Sequence, residues 1–229
     1  MTLNISVADD QLGAYFRKTA AIADRLGKSL PFEHVMGTLQ SLHDGKVKLF
    51  GAGFRGRFVR IMPVMVGGIL PADLVTAVKA IRELGSYAES MIMHPKFETL
   101  EMPEMHVQIE LTPQVFGFTE TPTTDEYLNA DRLAEWSAAN IENAVVELNH
   151  MSAGPHVALD YKDQPKGEGL WVASKPMLGR DDYSGVFNVY RRDGGGAWLS
   201  HDNAHPQYRW HLDYPTLFRL RELFSASAA

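Results

Sequence analysis

Hydrophobic and polar positions along the chain change period several times, and each change marks an element. Leu12, Tyr15, Phe16, Thr19, Ile22, Ala23 and Leu26 recur three and four apart behind Asp9 and Asp10, which predicts a capped helix stopped by Gly27. A second helix is predicted after Pro31, with Phe32, Val35, Met36, Leu39 and Leu42 on one face and Gly45 at its end. From Val47 the pattern shifts to strands, Val47 to Phe50 and then Phe58 to Val66, joined by a Gly-rich hairpin at Gly51 to Gly56. A third helix is expected from Pro71 to Leu84. Residues 86 to 104 show no period and contain Pro95 and Pro103, so a domain boundary or long connection is placed there.

Beyond it, Met105, Val107, Ile109 and Leu111 alternate with polar residues, which predicts a half-buried strand. Thr123 followed by Glu126 reads as a capping box opening a helix through Trp136, and a short helix is expected over 141 to 149. Six strands are then predicted: His156 to Tyr161, Gly169 to Ser174, Gly185 to Tyr190, Ala197 to His201, Tyr208 to His211, and Thr216 to Arg221. Turn residues separate them, which implies sequential hairpins. The fold class is therefore α+β: an N-terminal region (1–100) of helices with a β-hairpin, then a C-terminal domain (105–224) with a mostly antiparallel sheet.

Composition narrows the function classes. The 229 residues are 45% hydrophobic, enough for a substantial core, and the formal charge is −6. That balance disfavours bulk attraction to nucleic acid. Cysteine is absent, which removes disulfides, thiolate metal sites and a cysteine nucleophile. The first residues carry no basic, apolar leader pattern and no window is long and apolar enough to span a bilayer, so a soluble, cytoplasmic protein without membrane association is expected.

Candidate chemistry is scattered. Gly51-Ala52-Gly53-Phe54-Arg55-Gly56 matches a dinucleotide-binding spacing, but Arg57 to Pro63 favours a strand where that motif needs a helix, so no cofactor is assigned. Arg55, Arg57 and Arg60 on the same hairpin are candidates for gripping phosphate or an acidic partner. His201, Asp202 and His205, with His211 and His156 elsewhere, are residue types that ligate borderline metals, and Glu168 would supply a base for metal-assisted hydrolysis. Asp160, Asp163, Glu168, Asp181 and Asp182 cluster at turns, where Asp commonly caps backbone N–H groups. Serine nucleophile elbows and phosphate loops are missing. Trp198, Trp210, Tyr190, Tyr208 and Arg209 fall on predicted strands and loops, the residue types that dominate binding hot spots. The leading expectation is thus a non-catalytic binding or interaction protein, with a protein partner or a second copy. A metal-assisted hydrolase and a nucleic-acid-associated regulator are the alternatives.

Tyr161-Lys162-Asp163-Gln164-Pro165 with Gly167-Glu168, preceded by Gly154-Pro155 and followed by Gly196-Ala197-Trp198-Leu199, Pro206 and Trp210, resembles a family of uncharacterised bacterial proteins over about residues 105 to 224. Similar proteins carry a Cys-Pro pair before the Gly-Pro segment, where this chain has Leu148-Asn149-His150-Met151-Ser152. Residues 1 to 100 do not match. The resemblance implies a shared fold and binding role and transfers no catalytic residue.

Overall fold

A computed structural model describes residues 48–49, 60–179 and 183–223. The two helices expected before residue 45, the Gly-rich hairpin with Arg55 and Arg57, and Asp181 and Asp182 lie outside the described residues. The strands are β1 (Lys48–Leu49), β2 (Ile61–Val66), β3 (Glu83–Leu84), β4 (Glu104–Leu111), β5 (Ile141–Glu142), β6 (Ala144–Glu147), β7 (Gly169–Val172), β8 (Met177–Leu178), β9 (Ser184–Arg191), β10 (Ala197–Asn203) and β11 (Thr216–Glu222). The helices are α1 (Pro71–Lys79), α2 (Ser86–Ile92), α3 (Thr124–Tyr127), α4 (Ala130–Asn140) and α5 (Ala153–Asp160).

Among the described residues nine strands form one sheet in the order β2-β4-β11-β7-β9-β10-β3, with β6 on β11 and β8 on β9. The sheet is mixed: β11 runs parallel to β7, and β10 parallel to β3. It departs from a chain of hairpins because β11 returns to pair with β4, far back in sequence, and lies between β4 and β7. β2 and β3, which precede residue 100, are in the same sheet as the strands after 105.

Helices cover this sheet unevenly. On one side α1, α2 and α5 enclose Met62, Val64, Leu74, Met91, Val157, Phe187, Val189 and Leu217. On the other, α3, α4 and the segment holding Phe116 and Trp210 enclose Ile109, Leu111, Tyr127, Leu133 and Phe218. Thr123 and Glu126 form the expected capping box, the Thr123 N–H donating to Glu126 Oε2 at 2.7 Å.

Five local expectations are overturned. His156 to Tyr161 belongs to helix α5 and its C-terminal cap, not to a strand. Pro155 stands in the first helical turn, where a missing N–H costs nothing, and Ala153 to Ala158 are all buried, so no amphipathic period is visible. Residues 141 to 147 are β5 and β6 instead of a helix, with Asn143 at φ 63° between them and alternating burial from Ala144. The third helix ends at Lys79, and Glu83–Leu84 forms a strand, while Ser86–Ile92 of the supposedly irregular stretch is helical. Tyr208 to His211 is an irregular segment carrying a single bridge, Arg209 to Thr123.

Helix α5 packs closely on the sheet and seals its edge. A Cβ at Gly154 would fall well inside van der Waals contact of the Phe187 side chain, so the helix approaches β9 only because residue 154 has none. At β2, the edge strand among the described residues, Glu110 N–H donates to Arg60 O, which directs the N–H groups of residues 63, 65 and 67 away from β4. Pro63 has no N–H to offer. Met65 N–H donates to Asp160 Oδ2 at 2.9 Å and Gly67 N–H to His156 Nε2 at 3.1 Å. His156 and Asp160 are one helical turn apart, so one face of α5 satisfies an edge that would otherwise invite another strand.

The turn after α5 is anchored from within. Gln164 is fully buried, donates through Nε2 to Glu168 O at 3.1 Å and Val189 O at 2.9 Å, and accepts from Arg82 Nη1 at 2.8 Å. Buried Arg82 also donates to Ala158 O at 2.6 Å and to Tyr161 O. Arg60 donates to the Tyr161 hydroxyl and to Glu168 Oε1 at 2.6 Å, with Glu110 Oε2 at 3.3 Å from its Nε.

Two predictions follow from α5. Gly154→Ala gains helix propensity of at most about 1 kcal/mol, but the clash is with Phe187 Cβ and Cγ, which no rotamer change removes, and overpacking costs roughly 1–3 kcal/mol. The variant should unfold at lower temperature; an unchanged melting temperature would contradict the packing. Burial also pushes His106 down to about 3 and His156 down to about 4. Both are neutral in the fold, so between about pH 6.5 and 4 the unfolded chain binds protons that the fold refuses. Stability is therefore full above pH 6.5 and falls with pH by about 1.4 kcal/mol per unit for each histidine. Desolvation of the Asp160 carboxyl, only partly offset by the Met65 N–H bond, raises it to about 6, which opposes the histidine slope between about pH 4 and 6. His156→Gln keeps an acceptor for Gly67 N–H and should flatten the urea-measured slope between pH 7 and 5 by one histidine's share.

Candidate binding face

Strand alternation decides which side chains β7, β9 and β10 present to each side. Phe187, Val189 and Leu199 point into the α5 core, so Asn188, Tyr190, Trp198, Ser200 and Asp202 point the other way. The register lines these residues up in rows. Glu83, Trp198, Tyr190 and Gly169 are cross-strand neighbours in sequence from β3 to β7. Ser200, Asn188, Trp171 and Thr216 form the next row, and Asp202 stands opposite Val186 in a third.

Burial separates the two sides. Phe187, Val189, Leu170 and Leu199 are at most 1% exposed, whereas Trp171, Tyr190, Trp198, Ser200 and Asp202 are half-buried and Glu83 and Arg192 exposed. α4, on the aromatic side, packs on β5 and β6, while α2 and α5 reach β10 from the opposite side. The result is a face of β7, β9 and β10 with aromatic rings and polar side chains interleaved.

Its aromatic groups are held in place. Trp171 stacks on Tyr214 with ring centres 4.1 Å apart and planes 6° from parallel, and its Nε1 donates to Asp202 Oδ2 at 2.8 Å. The Arg192 guanidinium lies 4.4 Å over the Trp198 ring. Tyr208 borders the same end of the face, its hydroxyl pushed up to about 12 by burial, with Asp202 adding to the rise.

Other residues singled out in the sequence fall elsewhere. Trp210 is fully buried and belongs to the core rather than a contact surface: its Nε1 donates to Thr124 Oγ1 at 3.0 Å, and Tyr127 and Tyr208 pack on its ring. Arg209 is exposed and donates to Thr121 O at 2.9 Å, beside Trp210 and off the rows. The proposed metal ligands do not converge. His201 points to the α5 side, where it stacks on Tyr87 at 4.7 Å and burial lowers its pKa, while Asp202, its neighbour in the strand, points to the aromatic side. His205 sits on an exposed turn, its N–H donating to Asn203 Oδ1 and its Nδ1 accepting from Gln207. Among the described residues no three acidic or histidine side chains are grouped to hold a metal ion. Glu168 and Arg60 are tied to each other, so neither a free base nor a free phosphate grip is found there.

Trp171 and Tyr214 belong to the face, and Asn188, Ser200, Glu83 and Arg192, which the sequence reading left out, complete it. The signal for two of them was available, because strand alternation from Tyr190 and Trp198 leads directly to Asn188 and Ser200. Among the described residues no helix is long and apolar enough to cross a membrane. The chain matches no family model, no curated protein and no solved structure.

Proposed function

We propose that this protein is a non-catalytic binding module whose contact surface is the aromatic face of β7, β9 and β10, with a protein partner or a second copy of the chain as its occupant. The observation that carries the reading is the contrast across these strands. One side is closed by helices and dry, and the other holds Trp171, Tyr190 and Trp198 half-buried beside Asn188, Ser200 and Asp202. Aromatic anchors flanked by polar groups are the composition of interface hot spots. The segment from Gly154 to Glu168, which carries much of the resemblance to the uncharacterised bacterial family, then acts as the support of that face: it fixes β9 from behind through Phe187 and Val189.

A photo-crosslinking side chain at Ser200 should capture a partner or a second copy, whereas the same group at exposed Thr76 on α1 should not. Combining Trp198→Ala with Tyr190→Ala should weaken the captured interaction by roughly thirtyfold, the loss of one hot spot of about 2 kcal/mol. The melting temperature should change little for these half-buried positions. Equal capture from both positions, or capture indifferent to the double variant, would contradict the reading.

A further inference from the structure

Gly169 stands in the row of Tyr190 and Trp198 with an ordinary backbone conformation that does not require glycine. A Cβ placed there would lie 3.9 Å from Asn188 Nδ2, 3.9 Å from Trp171 Cη2 and 3.9 Å from Tyr190 Cδ2. The missing side chain thus leaves a notch in the face. Two of its walls are aromatic rings and the third is an amide.

Charge selects what such a notch takes. The registers and contacts bring Glu83 and Asp202 onto this face, and Asp193 borders it with its carboxylate against Gly167. Among the described residues one guanidinium, that of Arg192, accompanies these three acids, its carbon 4.4 Å over the Trp198 ring. Asp202 spends its two oxygens on Trp171 Nε1 and Asn203 N–H, which holds its charge in place beneath the rings. The whole chain carries −6. Aromatic walls under a surplus of negative charge attract cations through both the ring quadrupole and the Coulomb field, and repel carboxylates. Arg192 on Trp198 is an internal instance of that contact.

Building on the reading of this face as a contact surface, we propose that the notch over Gly169 receives an arginine or lysine side chain from a basic segment of the partner, its cation lying between the Trp171 and Tyr190 rings.

The test uses the full chain and fluorescence polarisation with a labelled, short arginine-rich peptide and its citrulline counterpart, which keeps the shape and removes the charge. The arginine peptide should bind, more weakly as salt is raised, and the citrulline peptide should bind roughly tenfold more weakly, within the range of a cation–π contact plus nearby carboxylates. Gly169→Leu fills the notch and should abolish binding, while Gly169→Ala, whose Cβ meets only ordinary contacts, should reduce it modestly. Glu83→Gln at an exposed position leaves folding untouched and should weaken binding several-fold, which keeps the test decisive if Gly169→Leu fails to fold. Equal binding of the two peptides, no binding of either, or binding unaffected by both Gly169→Leu and Glu83→Gln overturns the proposal. If the peptides fail while crosslinking from Ser200 is still lost on Trp198→Ala with Tyr190→Ala, the face remains a contact surface and only its preference for a cation falls.

Discussion

The close approach of α5 to the sheet is the contact on which the remaining architecture depends. Gly154 lets the helix settle on Phe187, and from that position His156 and Asp160 reach the outward N–H groups of Gly67 and Met65 on β2. One short helix thus touches strands near both ends of the sheet order and holds them at a fixed separation. The chain leaving the helix carries Gln164, whose amide fastens the turn to β9 and to Arg82. Because buried amides and guanidinium groups are costly when unpaired, this network tolerates little displacement.

That arrangement explains how one side of β9 and β10 can be left to aromatic side chains. The strands owe their position to Phe187, Val189 and Leu199 on the α5 side and to Val186, with Trp171 and Tyr214 at its margin, in the second core, so Tyr190 and Trp198 are not needed to close either one. Side chains freed from that duty can serve recognition. Trp171 with Tyr214, and Trp198 under Arg192, are ordered by ring and guanidinium contacts and by the Asp202 hydrogen bond rather than by full burial, which keeps them rigid and reachable together.

Legibility in the sequence followed period. β4 alternates apolar with polar residues, β9, β10 and β11 are runs bounded by turn residues, and the Thr123–Glu126 box marks its helix because capping is a local interaction. α5 was misread because Ala153 to Ala158 are buried all round, leaving no helical stripe, and because Pro155 after Gly154 looks like a turn when it occupies a first helical turn. Val145 and Val146 betray β6 through their branching, a weaker signal than the preceding helix α4. Trp198 and Trp210 are indistinguishable by composition, and only tertiary position makes one part of a face and the other core. The expected metal ligands do not converge, for a reason readable in advance: His201 and Asp202 are consecutive in a strand and face opposite sides.

The division between a buried side and a reachable aromatic side is tested most directly by hydroxyl-radical footprinting of the native protein with mass-spectrometric readout of each aromatic residue. The structure predicts oxidation at Trp171, Tyr190 and Trp198 and strong protection of Trp210, Tyr127 and Phe187, with protection lost together on unfolding. Protection of Trp198 and Tyr190 equal to that of Trp210 would contradict it.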